Sequence, residues 1–146
     1  MHFYDIHNRY TFARALANTR VTDNTAQSTV ILDLQGIWGL ELVIALGTLA
    51  DADATFALTG VHGNAVDSVS SPTSITDAVA MTNSDLIGTL AGASFQFDDD
   101  NKVKNVGYKV STYRYVQFTI TPSANTGNAD IAAIFVERTK TAGSLS

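Results

Sequence analysis

Residues 114–122 read Arg-Tyr-Val-Gln-Phe-Thr-Ile-Thr-Pro, and this stretch decides the predicted fold. Apolar and polar side chains alternate along it, so that Val116, Phe118 and Ile120 share one face. A period of two residues is that of a β-strand with one buried face. Pro122 has no N–H group to donate to a ladder, and strand pairing is therefore expected to weaken or stop there.

A chain reversal follows this strand. Residues 123–128 read Ser-Ala-Asn-Thr-Gly-Asn, in which Asn125 and Gly127 are residue types that tolerate the left-handed backbone of a tight turn. A second apolar run then extends from Ile131 to Val136. The pattern predicts a β-hairpin, and similar units fill most of the chain.

The longest alternation lies in residues 38–47. The side chains predicted to point inward are Trp38, Leu40, Leu42, Ile44 and Leu46. Residues 55–61 predict a further strand, with Phe56 and Leu58 inward. Because about seven to nine short strands are indicated and no convincing amphipathic helix, we expect an all-β fold, a single-domain β-sandwich or jelly-roll-like barrel.

The chain is predicted to have three parts. Residues 1–19 form an extended N-terminal arm rich in aromatic residues, residues 20–138 form the β-sandwich or jelly-roll domain, and residues 139–146 form a polar C-terminal tail. Within the domain, residues 64–84 are rich in Ser, Thr, Asp and Ala and predict a long loop excursion from the core.

The amino-acid composition excludes several classes of functional site and partner. The 146 residues include no Cys, which excludes disulfides, Cys-bound zinc and a thiol nucleophile. The net charge of −5 argues against general nucleic-acid binding. The N-terminus lacks the pattern of a signal peptide, and no apolar stretch is long enough to span a bilayer, so no membrane partner is expected. Only 16% of the residues are charged, which suits either a protein packed against other subunits or an ordinary β-domain with an uncharged surface.

Candidate metal and catalytic groups are few. His2, Asp5 and His7 lack a further ligand at motif spacing, and we expect polar contacts there instead of a metal site. Asp98–Asp100 supply the oxygens that Ca²⁺ prefers, but a solvated acidic turn neutralised by Lys102 and Lys104 is the favoured interpretation. His62 is expected in a turn or on the surface. No nucleophile elbow or phosphate-binding loop is present, so we expect no enzyme activity, no cofactor and no metal.

Two groups of residues are candidates for an interface, because Tyr and Arg are favoured at interface hot spots. The group in the arm consists of Phe3, Tyr4, His7, Arg9, Tyr10 and Phe12. The group around a turn consists of Tyr108, Tyr113, Arg114 and Tyr115. For this second group, cross-strand aromatic packing is an equal alternative.

Five segments, in their order along the chain, resemble a group of small β-rich structural proteins found in the virions of tailed bacteriophages. These segments are residues 4–10, 21–26, 51–56, 98–108 and 114–127. The resemblance covers most of the chain and is weakest over residues 64–84.

The resemblance implies a non-enzymatic virion protein, first a capsid decoration (cement) protein that stabilises the head by bridging major capsid subunits. It implies assembly in the host bacterial cytoplasm, partners among the major capsid protein or other virion proteins, and a homo-oligomer, with a trimer favoured. The alternatives are a head–tail connector, neck or tail protein and, further off, a carbohydrate-binding adsorption module with Tyr113 or Tyr115 as its platform.

Overall fold

The structure is a computed structural model that describes residues 5–139. Within that range the chain forms two antiparallel β-sheets that enclose one apolar core. The strands of sheet I, in spatial order, are β1 (Thr11–Val21), β11 (Ala129–Thr139), β4 (Ile37–Leu49), β9 (Val103–Tyr108) and β7 (Leu86–Ile87).

Sheet II is built around two long strands, β10 (Tyr115–Ser123) and β5 (Thr55–Gly63). The short strands β2 (Gln27–Ser28) and β3 (Leu32–Asp33) pair with β10, while β6 (Val79–Ala80) and β8 (Phe95–Gln96) pair with β5. The helical elements are one turn of α-helix, α1 (Leu90–Ala93), and 3-10 turns at Asn83–Asp85 and Phe97–Asp99. No helix in the described part of the chain has the length and apolar character needed to cross a membrane.

The pairing of strands is nested. β1 pairs with β11, β2 and β3 with β10, β4 with β9, and β5 with β6. A chain paired in this way is one long antiparallel ribbon wound into two facing sheets, which is a jelly roll. The predicted all-β, sandwich or jelly-roll-like fold is therefore confirmed.

The core lies between the inward faces of the two sheets. Its largest fully buried side chains are Tyr108, Phe56, Phe118, Phe135, Leu42, Ile44, Ile120, Ile131, Val106 and Val116. The predicted inward positions from Leu40 to Leu46 in β4, and Phe56 and Leu58 in β5, are all buried. Alternation therefore identified the core faces of the two strands correctly, because each has its apolar stripe at a period of two.

The predicted hairpin is wrong. β10 and β11 lie in different sheets and do not pair, so the turn between them crosses the edge of the sandwich. Asn125 is buried in this turn, and its Nδ2 donates to the carbonyl oxygens of Val21 and Asp23. These bonds hold the turn against the segment that follows β1. The left-handed residue of the turn is Ala124 (φ 57°), and not Asn125 or Gly127.

Pairing also continues past Pro122, contrary to expectation. Pro122 lies opposite Phe56 in β5, and the ladder extends to Ser123. On the other side of β10 the register with β2 ends at Ile120, so Pro122 lies where that edge has no strand neighbour. Proline is tolerated there because no neighbouring strand requires its N–H.

Trp38 is not a core residue. Its side chain is 50% exposed, while the neighbouring Ile37 is buried. The register between β4 and β11 shifts at this point, with Gly39 opposite Arg138 and Ile37 opposite Thr139. Trp38 is the extra residue of this β-bulge, which reverses the inward and outward positions.

The predicted N-terminal arm differs from the structure over residues 11–19, which belong to strand β1 at the edge of sheet I. Two register shifts, between Arg14 and Leu16 and between Leu16 and Thr19, break the alternation of this strand. Bulges of this kind remove the period-2 signal on which the sequence prediction depended. His2, Phe3 and Tyr4 lie outside the described residues, as do residues 140–146 of the predicted tail.

The predicted excursion over residues 64–84 begins where β5 ends. It follows the first strand of β5–β6, the innermost of the nested pairs. It contains an isolated bridge between Val66 and Ile75. The Asp77 carboxylate accepts hydrogen bonds from the backbone N–H groups of Asn64 and Ala65 at 2.9–3.0 Å. These bonds lower the pKa of Asp77 and fix the loop to the end of β5.

Candidate functional site

The outer face of sheet I carries a group of large apolar side chains. Its larger outward-facing apolar side chains, called the apolar face below, are Phe12, Val43, Ile87, Val103, Ile134 and Val136. Phe12, Ile87 and Val103 are 58%, 65% and 62% exposed. An outer sheet face in contact with water is normally polar, so this face needs an explanation.

The strand register makes these residues one continuous surface. Phe12 lies opposite Val136, Ile134 lies opposite Val43, and Ala132 lies opposite Ala45. On the next strand pair, Val103 lies opposite Ala45. Side chains directly opposite on neighbouring strands are in contact range, so the apolar face extends from β1 to β9. It includes two polar residues, Glu41 opposite Val136 and Asn105 opposite Val43.

One end of this surface is a shallow groove of about 670 Å³. It is lined by Asn18, Arg20, Ala45, Leu46, Gly47, Asp130 and Ala132. Because Ala45, Gly47 and Ala132 are small, the sheet backbone is accessible there. The opposite end of the same strands carries the larger side chains of Phe12, Val136 and Trp38, so the surface is high at one end and low at the other.

Charged groups border the apolar face. Arg20 forms two hydrogen bonds with the Asp130 carboxylate, at 2.7 and 2.9 Å, and this ion pair lowers the pKa of Asp130. At the other end of the strands, the guanidinium of Arg138 lies 6.0 Å from the centroid of the Trp38 ring. The border therefore carries charges of both signs. Two charged residues also lie within the face: Arg14 is opposite Ile134, and Glu41 is opposite Val136 and accepts a hydrogen bond from the side-chain amide of Asn105.

The outer face of sheet II is different. Its outward-facing residues on β5 and β10 include Thr55, Thr59, Gln117, Thr119 and Thr121. These hydroxyl and amide groups are suited to contact with water, and the strands alternate between apolar and polar residues as expected for one exposed face. The two outer faces of the sandwich are thus chemically unequal.

The predicted cluster of tyrosines and Arg114 is mainly internal packing. Tyr108 is buried, and its hydroxyl lies 2.9 Å from Nδ1 of His62. The ring of Tyr113 stacks on His62 with 3.8 Å between the ring centroids. Burial lowers the pKa of His62 and raises that of Tyr108. The expectation that His62 lies in a turn or on the surface is wrong, because its side chain points into the core from β5.

Arg114 and Tyr115 join strands. Arg114 donates from Nε and Nη2 to the two carboxylate oxygens of Asp33, at 3.0 and 2.8 Å, and this contact lowers the pKa of Asp33. Tyr115 is buried beneath the Arg114 guanidinium, which lies 5.1 Å from its ring centroid. Since Tyr115 is buried, it cannot serve as the predicted carbohydrate platform, whereas Tyr113 is partly exposed with its ring stacked on His62.

The described residues of the predicted arm lie on the surface near the start of β1. His7 and Tyr10 are exposed, Arg9 is partly buried, and Phe12 belongs to the apolar face. The Asp5 carboxylate accepts hydrogen bonds from the backbone N–H and side-chain amide of Asn8, which lower its pKa. Asp5 therefore caps a turn.

The acidic turn at residues 98–100 makes internal contacts. Lys104 and Lys102 lie 3.0 and 3.4 Å from Oδ1 of Asp99, as the charge pattern predicted. The Asp100 carboxylate accepts a hydrogen bond from the backbone N–H of Leu49. Across residues 5–139 there is no group of three or more His, Cys, Asp or Glu side chains that could hold a metal ion.

Sequence reasoning named only Phe12 among the residues of the apolar face, although β4 and β11 carry a signal for the rest. Val43 and Ala45 occupy the outward positions of β4, and Ile134 and Val136 those of β11. Strands with apolar residues in both phases of the alternation are typical of sheets covered on both sides. That signal, read together with the inward stripe, predicts a second buried surface.

Comparison with known proteins identifies no family, since no protein-family model and no curated protein matches the sequence. The chain is similar to the solved structure of the SPBc2 prophage-derived protein YomS, at 11% identity and a TM-score of 0.46, over 87% of this chain and 92% of that chain. It is also similar to a chain in the structure of infectious bursal disease virus, Gx strain, at 10% identity and a TM-score of 0.48. That match covers 90% of this chain and 32% of the viral chain.

Proposed function

We propose that this protein is a non-enzymatic structural subunit of a bacteriophage virion and that the apolar face is buried when the particle assembles. The observation that carries the proposal is the contrast between the apolar face of sheet I and the Thr-rich face of sheet II. Burying apolar surface contributes about 25 cal/mol per Å². A patch of this kind on a monomer marks an interaction surface when it exceeds a few hundred Å².

The first candidate role is a capsid decoration protein that bridges major capsid subunits. The resemblance to small virion proteins of tailed phages supports it, as does the jelly roll, an architecture found in viral capsid domains as well as in lectins and cupins. This support from fold is an analogy, because one fold serves many functions. The absence of Cys suits assembly in the bacterial cytoplasm, and the negative net charge suits a position away from packaged DNA.

Counting subunits tests this role. A decoration protein should be present in virions at a copy number similar to that of the major capsid protein, as measured by quantitative mass spectrometry of purified particles. Purified protein should also bind expanded heads that lack it. A copy number of about one dozen or fewer per particle contradicts decoration and favours the neck or tail alternative, since rings there are small closed assemblies.

A pair of variants tests the role of the apolar face. Ile134→Arg places a charge at the centre of the face, and Thr119→Arg places the same charge on the outer face of sheet II. We expect Ile134→Arg to lower incorporation into heads at least about ten-fold, equivalent to 1.4 kcal/mol, and Thr119→Arg to leave it unchanged. Equal incorporation of the two variants contradicts the proposal.

A further inference from the structure

We propose that the apolar face binds a second copy of this chain, with the two sheets I packed face to face and their strands reversed. This inference rests on the proposed function, because both assign the same face to assembly. It goes further in naming the partner. The argument depends on the pattern of side chains along β11 and β4.

The outward side chains of β11 differ in size in a way that lets two reversed copies of the strand fit together. Ile134 lies at the middle of the outward row, with the larger Val136 on one side and the smaller Ala132 on the other. When a second β11 is reversed about Ile134, Val136 of each copy lies over Ala132 of the other. The high end of one face thereby fills the groove at the low end of its partner, which gives the close packing that stable interfaces show.

Charge along β11 follows the same symmetry. Arg138 and Asp130 are each four residues from Ile134, on opposite sides, and both point outward. The reversed arrangement therefore places each Arg138 over the partner's Asp130 and its bound Arg20. Opposite charges that meet across an interface favour one register over others.

The neighbouring strands fit the same axis. On β4, reversal about Val43 places Glu41 of one copy over the small Ala45 of the other. On β1, the edge strand of the sheet, the two Arg14 side chains approach each other. Arg14 lies opposite Ile134, so this like-charge contact falls on the proposed axis and weakens the dimer.

The distribution of charge also favours this face as the place where two copies of the chain meet. The whole chain has a charge of −5, so two copies repel each other over most of their surfaces. The outward charges of the strands that form the face are Arg14, Arg20, Arg138, Glu41 and Asp130, which leave it slightly positive. The apolar face is therefore a region where two copies approach without strong like-charge repulsion.

The size of the face sets the expected affinity. Four strands about 4.8 Å apart and about eight residues long cover roughly 19 Å by 28 Å, or about 500 Å². A standard interface buries about 800 Å² on each partner. We therefore expect a weak dimer in solution, with a dissociation constant on the order of 10–100 μM.

Sedimentation velocity over about 5–500 μM tests the proposal. The native chain should shift from monomer to dimer across this range, Ile134→Arg should remain monomeric, and Thr119→Arg should behave as the native chain. Circular dichroism verifies that both variants keep the β-fold. A native chain that stays monomeric at the highest concentration overturns the proposal, and so does a trimer, the state that the family resemblance implies.

Cross-linking locates the contact. The chain has no Cys, so Ile134→Cys introduces a single thiol beside the proposed axis, and Thr119→Cys is the matched control on sheet II. Facing sheets lie about 10 Å apart, too far for a direct disulfide, so a short bis-maleimide is the reagent. We expect Ile134→Cys to cross-link about ten-fold faster, because paired thiols react at millimolar effective concentration.

Equal cross-linking rates for the two single-Cys variants overturn the proposal. The outcome is separate from that of the virion experiments. Dimers that form through the apolar face while the protein is absent from virions contradict the proposed function alone. Incorporation into heads by a chain that never pairs contradicts this inference alone.

Discussion

Nδ1 of His62 lies 2.9 Å from the hydroxyl oxygen of Tyr108, and this contact joins the two sheets through the core. His62 points inward from β5 in sheet II, and Tyr108 points inward from β9 in sheet I. A buried polar group is stabilising only while its partner is present, since an unpaired group keeps the full cost of leaving water. The two residues are therefore mutually dependent.

Replacing Tyr108 tests this dependence. Tyr108→Phe keeps the ring and removes the hydroxyl, which leaves Nδ1 of His62 buried without its partner. We expect the free energy of unfolding in urea to fall by about 1–3 kcal/mol. Tyr10→Phe removes the hydroxyl of an exposed tyrosine and should change stability by less than about 0.5 kcal/mol. Equal unfolding midpoints for the two variants would show that the contact contributes nothing.

The buried His62 predicts a dependence of stability on pH. Burial lowers its pKa below the ordinary value of about 6.5, and the weaker pull of Asp85 does not reverse this. Below pH 6.5 the unfolded chain therefore binds more protons at this site than the folded chain does. Stability from His62 is present above pH 6.5 and is lost as the pH falls toward its lowered pKa.

The variant His62→Gln isolates this effect, because it keeps a hydrogen-bonding side chain that does not titrate. Urea midpoints measured between about pH 8 and pH 5 should fall more steeply for the native chain than for the variant. Parallel curves for the two proteins contradict the assignment of this titration to His62.

Glu137 predicts the opposite trend. It lies on the inward side of β11 beside Leu40, only 8% exposed, and removal from water raises its pKa. A raised pKa means that stability from this group is complete below its unfolded pKa and is lost as the pH rises through the folded value. Glu137→Gln should therefore raise the urea midpoint at pH 7 and change it little near pH 4.

An exposed acid is the control for Glu137→Gln. Asp98 is exposed in the acidic turn, and Asp98→Asn removes the same charge without the burial. We expect this substitution to change the free energy of unfolding by no more than about 0.5 kcal/mol at both pH values, which is the range of ordinary surface substitutions. A stabilisation equal to that of Glu137→Gln would point to net charge and not to burial as the cause.

Ala124 holds a left-handed backbone (φ 57°) in the turn that crosses between the sheets. This conformation costs an L-residue with a Cβ roughly 1–2 kcal/mol, and glycine avoids the cost. Glycine is more flexible when unfolded, which offsets part of the gain, so Ala124→Gly should stabilise the protein by about 0.5–1 kcal/mol. The same change at the exposed Ala57 in β5 should destabilise it, and opposite shifts in thermal midpoint check both.

The alternation of apolar and polar residues predicted the long strands and their buried faces, because both depend on residues close together in the sequence. The stripe from Leu40 to Leu46 in β4 has a period of two because only one set of side chains reaches the core, and that period is visible in the sequence. The reversal after Ser123 was also visible. The sequence did not show in which sheet the next strand pairs, since turn residues set the direction of the chain and do not select the strand with which it pairs.

The rest depended on contacts between distant segments. Trp38 lies at a bulge, where one extra residue inverts the inward and outward positions. His62 is buried because a tyrosine forty-six positions later reaches it across the core. The predicted interface residues were aromatic or basic, whereas most of the apolar face consists of aliphatic side chains on β4, β9 and β11, which sequence reasoning assigned only to strands.

The nested order of pairing has a consequence for synthesis. β11, the last strand within residues 5–139, lies between β1 and β4 and is the strand with which β1 pairs. β1 must therefore wait for this partner until β11 has been synthesised, and contacts so distant along the chain form slowly. A product that ends before β11 lacks an interior strand of sheet I and therefore cannot complete the sandwich.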